Sequence, residues 1–230
     1  MSVEKGNIGA LFNRIAGSYD KLNHLLSLGI DRRWRRRAVD NLKYSGKVLD
    51  VAIGTADLAL EIMHKGKADM VTGIDLSDEM MRIGAEKVER LGYGGKIVFE
   101  KANALDMPYP DESFDTVTCA FGVRNFSDLD KGLSEMYRVM KKGGQLCIIE
   151  LSYPENKLVA AIYDFYFSMI LPKIGGAISN DKPAYTYLNK SVKHFIWGEK
   201  MKERLQAAGF KYVGYRPMTF GIATLYMAGK

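Results

Sequence analysis

"VLDVAIGTADLAL", residues 48–60, decides the fold. A short apolar run is followed by a turn with a single glycine, Gly54, and then by a helix that opens on Asp57. Strand, tight turn and helix in this order open nucleotide-binding sheets, and the turn normally contains three glycines. Here Ile53 and Ala56 stand beside the one that is left. A dinucleotide needs its pyrophosphate close to the backbone and against the positive end of the helix. Asp57 in the first helical turn already complements that dipole and would repel a phosphate. The turn therefore suits a nucleotide that carries no phosphates.

Working outward, "DMVTGIDLS" is a second strand ending on Asp75, 25 residues after Asp50. A carboxylate at that strand end can accept both hydroxyls of a ribose. "KIVFEKANA" is a third strand, and "ANALDMPY" after it puts Asn103 where a side-chain amide or backbone group can meet adenine. "SFDTVTCAFGV" and "QLCIIEL" are the fourth and fifth strands. Between them lie helices: "DLALEIMHK" with Gly66 as its stop, and "DEMMRIGAEKVERLG" capped by Ser77 or Asp78. A third, "DLDKGLSEMYRVMKKGG", stops at Gly143–Gly144. This alternation predicts an α/β fold, an open and mostly parallel sheet with helices on both faces and its ligand at the strand ends. A nucleotide with a ribose, an adenine and no phosphate is met by S-adenosyl-L-methionine, which carries a sulfonium cation and an amino acid.

Outside this core the patterns change. Residues 8–42 read as helical, with Ile30, Trp34, Ala38 and Leu42 at four-residue spacing. From Tyr153 to about Trp197 the alternation lapses; residues 158–178 are apolar and aromatic all round. "GEKMKERLQAAGF" restores an amphipathic helix, and "KYVGYRPM" and "IATLYMAGK" close the chain as a hairpin-like pair of strands. The organisation expected is a single domain over 1–230. It has a helical cover over 1–45, a cofactor-binding core over 46–152, a substrate-side insertion over 153–197 and a C-terminal helix and strands over 198–230.

The 230 residues are 47% hydrophobic, enough for a sizeable core, and carry a formal net charge of +6. Five arginines fall within residues 32–37, in "DRRWRRR", which reads as a solvated helix face or as a contact with anionic lipid. Nucleic acid is not an expected partner, because no basic–aromatic platform or nucleic-acid motif accompanies the charge. Cys119 and Cys147 sit in apolar runs and read as small buried hydrophobes of a reducing cytoplasm. The N-terminal "MSVEKGNIGALFNR" lacks an apolar signal core, and no run reaches the roughly 18 apolar residues of a membrane span. A cytoplasmic protein, peripheral on the inner face of the cell membrane, is expected.

The sequence resembles the C-methyltransferases of ubiquinone and menaquinone biosynthesis, a branch of the Rossmann-like, S-adenosylmethionine-dependent methyltransferases. The resemblance runs nearly end to end, in "LFNRIAGSYDKLNHLLSLGIDRRWRR", "VLDVAIGTADLA", "GIDLSDEMM", "ANALDMPYPDESFDTVTCAFGVRN", "MYRVMKKGGQL" and "YTYLNKSV". The Gly-Val-Arg-Asn ending of the fourth-strand segment is its most family-specific part. It implies a seven-stranded sheet with the last strand antiparallel, and cofactor contacts at Thr55, Asp75, Asn103 and Ala104 with Gly54 alongside. Asp50 joins these as a sixth cofactor-side candidate. Ile53 departs from the small residue common at its position and is expected to narrow the pocket wall. The proline common in the stretch occupied here by "KHFIWGEK" is missing.

The activity implied is methylation of a demethylmenaquinol ring carbon, giving menaquinol, with no metal. A prenylated quinol is the expected partner, with a peripheral membrane contact and a homodimer as further expectations. Arg124 is the first candidate to hold a phenolate, against a plain salt bridge, and Asn125 is placed to bond the second quinol oxygen. His194 is the best-placed histidine for a base. Tyr19 reaches from the cover, where a packed aromatic is the competing reading. A polyprenyl-benzoquinol, or another small aromatic or lipid, would keep every cofactor residue. A nicotinamide oxidoreductase conflicts with Asp57 and the missing glycines, and a non-enzymatic binding protein is the remaining class.

Overall fold

The computed structural model of the protein describes residues 8–166, 169 and 182–230. Two helices, α1 (Ile8–Leu26) and α2 (Ile30–Asp40), precede the sheet. The stretch read as helical over 8–42 is two helices, separated where Gly29 takes a left-handed φ of 73°. Then follow β1 (Ser45–Val51), α3 (Asp57–His64), β2 (Ala68–Asp75), α4 (Asp78–Arg90), β3 (Ile97–Lys101), β4 (Phe114–Ala120), α5 (Leu129–Val139) and β5 (Met140–Leu151). After them come α6 (Lys157–Phe165), α7 (Lys182–His194), α8 (Glu199–Ala207), β6 (Lys211–Met218) and β7 (Ala223–Gly229).

The strands form one seven-stranded sheet in the order β3-β2-β1-β4-β5-β7-β6. β1 to β5 pair in parallel, and β7 enters antiparallel between β5 and β6. The order reverses at β1 and β4, so the strand ends there leave a crevice. The sheet has two apolar faces. Val48, Val71, Cys147 and Leu225 pack with α2 and α3 on one; Leu49, Val117, Leu146 and Tyr226 pack with α5 and α8 on the other. Both cysteines are fully buried.

Local chemistry sets the helix starts. Ser77 accepts the amide of Met80 (3.2 Å) at the head of α4, and Asp128 accepts that of Lys131 (3.0 Å) at the head of α5. α5 ends at Val139, before the glycines expected to stop it. Met140 is fully buried and already paired with Phe114, so sheet pairing takes the chain from helix straight into strand. The apolar stretch expected over 158–178 is helical where described, over 158–165, and residues 167–168 and 170–178 lie outside the described residues. Among the described residues no helix is long and apolar enough to cross a membrane.

Candidate active site

The turn after β1 runs through three left-handed residues, Ala52 (φ 57°), Gly54 (φ 54°) and Ala56 (φ 67°). This is the backbone path of a three-glycine turn, with alanine at two of the three positions at a cost of about 1–2 kcal/mol each. Space for the extra carbons is made across the sheet. A Cβ on Gly122 would lie 2.7 Å from the Ala52 methyl, and one on Gly73 would lie 2.0 Å from Ile53 Cδ1. Ile53 therefore points down into the sheet over Gly73 and does not narrow the cleft, contrary to the sequence expectation.

Above that turn lies a cleft of about 250 Å³. Ala52 and Gly54 form its floor; Ile74, Asp75, Leu76 and Met80 form one wall, and Ala102 to Leu105 the next. Gly122, Asn125, Phe126 and Ser127 close the β4 side, and Ile8, Phe12 and Tyr19 of α1 roof it. Asp75 is fixed by backbone amides, one oxygen accepting from Gly54 N and the other from Ser77 N, both at 2.9 Å. Burial raises its pKa, and these amides together with that of Leu76 oppose the rise. The carboxylate keeps acceptor capacity for a ligand hydroxyl. Asn103 is exposed, and its side-chain carbonyl accepts from Leu105 N (3.0 Å), closing the bend that presents Ala104 to the cleft. No atom lies within 4 Å of where a Cβ on Gly54 would stand, so the backbone there is bare. No lysine or arginine lines the cleft among the described residues. A bare glycine, a ribose-type acceptor, apolar walls and no cation fit S-adenosylmethionine better than a pyrophosphate.

Two sequence candidates lie outside the cleft lining. Asp50 is buried in β1, accepts from Thr118 Oγ1 (2.7 Å), and burial lifts its pKa to about 7 against that bond. Thr55 turns its hydroxyl to Asp20 of α1 (2.5 Å). Lys87 then bonds both Asp20 (2.6 Å) and Asp57 (2.7 Å), and Arg35 bridges Asp57 (3.2 Å) to Asp31 (2.6 Å). His24 joins through Asp31 at 2.8 Å. Burial alone would raise the Asp57 pKa, but Arg35 and Lys87 outweigh it and hold the pKa low. This chain of charges clasps the helical cover to the cofactor-side turn. Arg35 is consequently buried, so "DRRWRRR" is not a uniformly solvated face.

A second cavity, about 110 Å³ and mostly apolar, adjoins the first. Leu11, Ile15, Trp34, Leu151, Leu188 and Tyr187 line it together with Arg35 and Arg124. Phe12, Tyr19 and Phe121 line both cavities. Phe121 is left-handed (φ 60°), an uncommon state for a bulky residue. It is pinned at both ends: its amide donates to Ile149 O (2.8 Å), and its carbonyl accepts from Arg124 Nη1 (2.5 Å) and Asn125 Nδ2 (3.3 Å). Trp34 packs against its ring at 6.1 Å and the Arg35 guanidinium lies over it at 5.5 Å.

Arg124 takes both competing roles. Its Nη1 and its amide bond the two oxygens of buried Glu150, at 2.7 and 3.1 Å, while the side chain lines the chamber. Burial works against its charge, but Glu150, Tyr19 and Tyr187 together outweigh burial and raise its pKa. Its Nε is buried without a hydrogen-bond partner among the described residues. Asn125 accepts from Tyr187 Oη (2.9 Å) and lines the cofactor-side cleft, not the chamber. His194 is placed elsewhere. It is exposed at the end of α7, its Nδ1 bonded to Lys190 O (2.8 Å), and it lines neither cavity. Tyr19 stands at the junction; burial raises its pKa against the pull of Arg124, so it remains a phenol donor at neutral pH. Tyr187 and Phe121 lie in stretches that carry the resemblance, but sequence reasoning gave neither them nor Glu150 a role.

The sheet order, the inserted antiparallel strand and the cation-free cleft over a glycine turn define a Rossmann-like methyltransferase. A solved SAM-dependent methyltransferase from Thermotoga maritima superposes with a TM-score of 0.69 at 18% identity, covering 96% of this chain and 99% of that one, a likeness of fold. The chain belongs to the ubiE/COQ5 methyltransferase family, whose model matches residues 1–230. It is 45% identical over 222 residues to the demethylmenaquinone methyltransferase of Bacteroides fragilis, covering 96% of this chain and 91% of the relative. It is also 47% identical over 231 residues to the ubiquinone/menaquinone biosynthesis C-methyltransferase UbiE of Geobacter sulfurreducens, covering 99% and 90% respectively.

Proposed function

We propose that this protein transfers the methyl group of S-adenosylmethionine to a ring carbon of a demethylmenaquinol, giving menaquinol, at the inner face of the cell membrane. The observation that carries the proposal is the pair of adjoining cavities, one holding the Asp75 carboxylate over a glycine turn and one apolar, that share Phe12, Tyr19 and Phe121. The names of the relatives in Bacteroides and Geobacter support the substrate class.

The bound cofactor supplies an electrophilic methyl group on sulfonium. Asp75 accepts the ribose hydroxyls, Gly54 gives the backbone approach, and Ala104 with the Asn103 bend meets the adenine. Thr55 and Asp50 act one layer out, Thr55 by tying the turn to α1 and Asp50 by bracing β1 against β4. A quinol hydroxyl is a phenol, with a pKa of about 10. Loss of its proton to solvent would make the neighbouring ring carbon nucleophilic. That carbon would take the methyl group as the methyl–sulfur bond breaks to leave a thioether, and would then release its hydrogen to solvent as a proton. The Arg124 guanidinium favours the phenolate, and a quinol oxygen would satisfy its orphan Nε. Glu150 holds the guanidinium in place. Tyr19 donates a hydrogen bond at the junction of the cavities. Asn125, held by Tyr187, faces the cofactor side. Holding ring and methyl group together in a dry chamber is the largest contribution expected.

Label transfer from tritiated cofactor tests the reading, with a reduced naphthoquinol, its oxidised quinone and a polyprenyl-benzoquinol compared. Label should enter the naphthoquinol and not the quinone. A protein that binds the cofactor and labels only the benzoquinol, or neither quinol, would refute the substrate assignment.

A further inference from the structure

Three large apolar side chains of α6, Leu158, Ile162 and Phe165, are each more than half exposed, as is Met169 after it. The spacing of four and three residues places the three of α6 on one stripe of the helix. Tyr163, on the opposite side, is buried. Phe220 adds a second ring, 82% exposed, at the tip of the turn between β6 and β7. Three consecutive positive φ values, at Thr219 (46°), Phe220 (57°) and Gly221 (90°), hold that ring outward. The turn is fixed on both sides. Thr219 accepts from Trp34 Nε1 (2.8 Å), and Gly221 O accepts from Ser152 Oγ (2.7 Å) in the link that opens α6.

Exposed basic residues lie on α6 and on the elements linked to it and to the Phe220 turn. Lys157 opens α6, Lys190 is exposed on α7, and Arg37 is exposed on α2, one turn on from the Trp34 that anchors the Phe220 turn. Asp164 of α6 is paired with Lys193 (2.7 Å), which leaves Glu155 as the exposed acid of the link. Arg36 is turned toward Glu61 (3.7 Å) and Arg35 is buried, so the sequence cluster contributes through part of its members only.

We infer that the outer face of α6, with the Phe220 turn beside it, is the surface on which the protein rests on an anionic lipid bilayer. An exposed apolar stripe with basic flanks is the form of an interfacial helix, in which rings and aliphatic chains enter the headgroup boundary and cations meet the lipid charge. Leu151, just before the link to α6, and Leu188 of α7 line the apolar chamber, so segments next to this face also wall the chamber. A prenyl tail would thus pass from bilayer to chamber without crossing water, which is where this inference rests on the proposed function.

Co-sedimentation with vesicles tests it without any catalysis. Wild type should bind phosphatidylglycerol–phosphatidylcholine vesicles and bind phosphatidylcholine vesicles at least tenfold less, with the preference screened by salt. The double variant Ile162→Ser/Phe165→Ser, and separately Phe220→Ser, should lose at least tenfold in vesicle binding. Lys157→Gln/Arg37→Gln should lose the preference for phosphatidylglycerol. Each variant should keep cofactor binding and methylation of a short-tailed, water-soluble quinol within twofold, and lose methylation of a long-tailed quinol held in vesicles. Wild type that ignores vesicles, or serine variants that bind them normally, would overturn the surface assignment. So would light scattering that shows a wild-type dimer split by the serine variants, since the face would then join two copies of the chain. Failure to methylate the soluble quinol would count against the substrate reading and leave the vesicle result to be judged alone.

Discussion

The cofactor-side cleft and the apolar chamber share a wall, yet they are made in opposite ways. The floor and walls of the cleft come mainly from strand ends and the turns that follow them, and α1 supplies only its roof. Its parts are backbone amides, left-handed turn residues and one carboxylate, Asp75, held by amides of Gly54 and Ser77. The chamber is assembled from side chains of α1, α2, α7 and two strand ends, and its polar centre is a buried ion pair, Arg124–Glu150. A site built from backbone is rigid because the sheet is rigid. A site built under helices stays closed only while those helices stay docked, here through the chain of charges from Thr55 to Asp31. That difference suits a common cofactor on one side and a family-specific substrate on the other.

Variants of the two regions should therefore fail differently. Arg124→Gln alone leaves Glu150 buried without its counter-charge, an effect of about 3–5 kcal/mol on stability. The informative variant is Arg124→Gln/Glu150→Gln, which removes both charges. It is expected to fold, to bind cofactor nearly normally and to lose on the order of 10²-fold or more in kcat, the scale of one preorganised donor at developing charge. Its pH–rate profile should move to higher pH. A wild-type kcat in the folded double variant would make the pair structural and would break the assignment of the chamber.

Asp75→Ala addresses the other side. Calorimetry should show cofactor affinity weakened by roughly 2–3 kcal/mol, the scale of charge-assisted hydrogen bonds. The chamber should be unaffected, so kcat at saturating cofactor should fall far less than affinity does.

Asp50 predicts a pH effect on stability. Its pKa in the folded state is about 7, above the ordinary 3.8, so the folded chain binds a proton that the unfolded chain has lost between those values. Its contribution is fully present below about pH 4 and is lost as pH rises through 7, by a few kcal/mol at about 1.4 kcal/mol per unit. Denaturant unfolding should show the stability of wild type relative to Asp50→Asn falling across that window. A constant difference would mean that Asp50 ionises normally.

Smaller effects sharpen the contrast. Ala52→Gly relieves a left-handed alanine at the cost of unfolded-state entropy and should stabilise by about 0.5–1 kcal/mol, a rise of a few degrees in Tm. His194→Ala should leave kcat within twofold, because the ring is exposed and outside both cavities.

What the sequence made legible follows the same division. The five parallel strands, the antiparallel close, the Asp75 strand end and the Gly54 turn were readable because each is local. Period, turn residue and spacing fall within one strand–turn–helix unit. Ile53 misled because its side-chain direction depends on Gly73, in a neighbouring strand. His194 misled because position in sequence does not tell which way a helix end faces. Phe121, Tyr187 and Glu150 were not legible at all, since their roles come from long-range contacts such as Tyr187 with Asn125, 62 residues apart. The arginine cluster divided in a way no pattern shows: Asp31 and Asp57 draw Arg35 inward, while Arg33 and Arg37 remain outside.

The central claim is that a methyl group reaches a quinol ring carbon where the two cavities meet. The most direct measurement is a reaction of reduced demethylmenaquinone with cofactor carrying a ¹³C-methyl group, with the product examined by carbon–proton correlation NMR. The account predicts a labelled methyl bonded to the ring carbon, with both quinol oxygens unmethylated. Label found as an O-methyl ether, or no label in the quinol while the cofactor is bound, would contradict it.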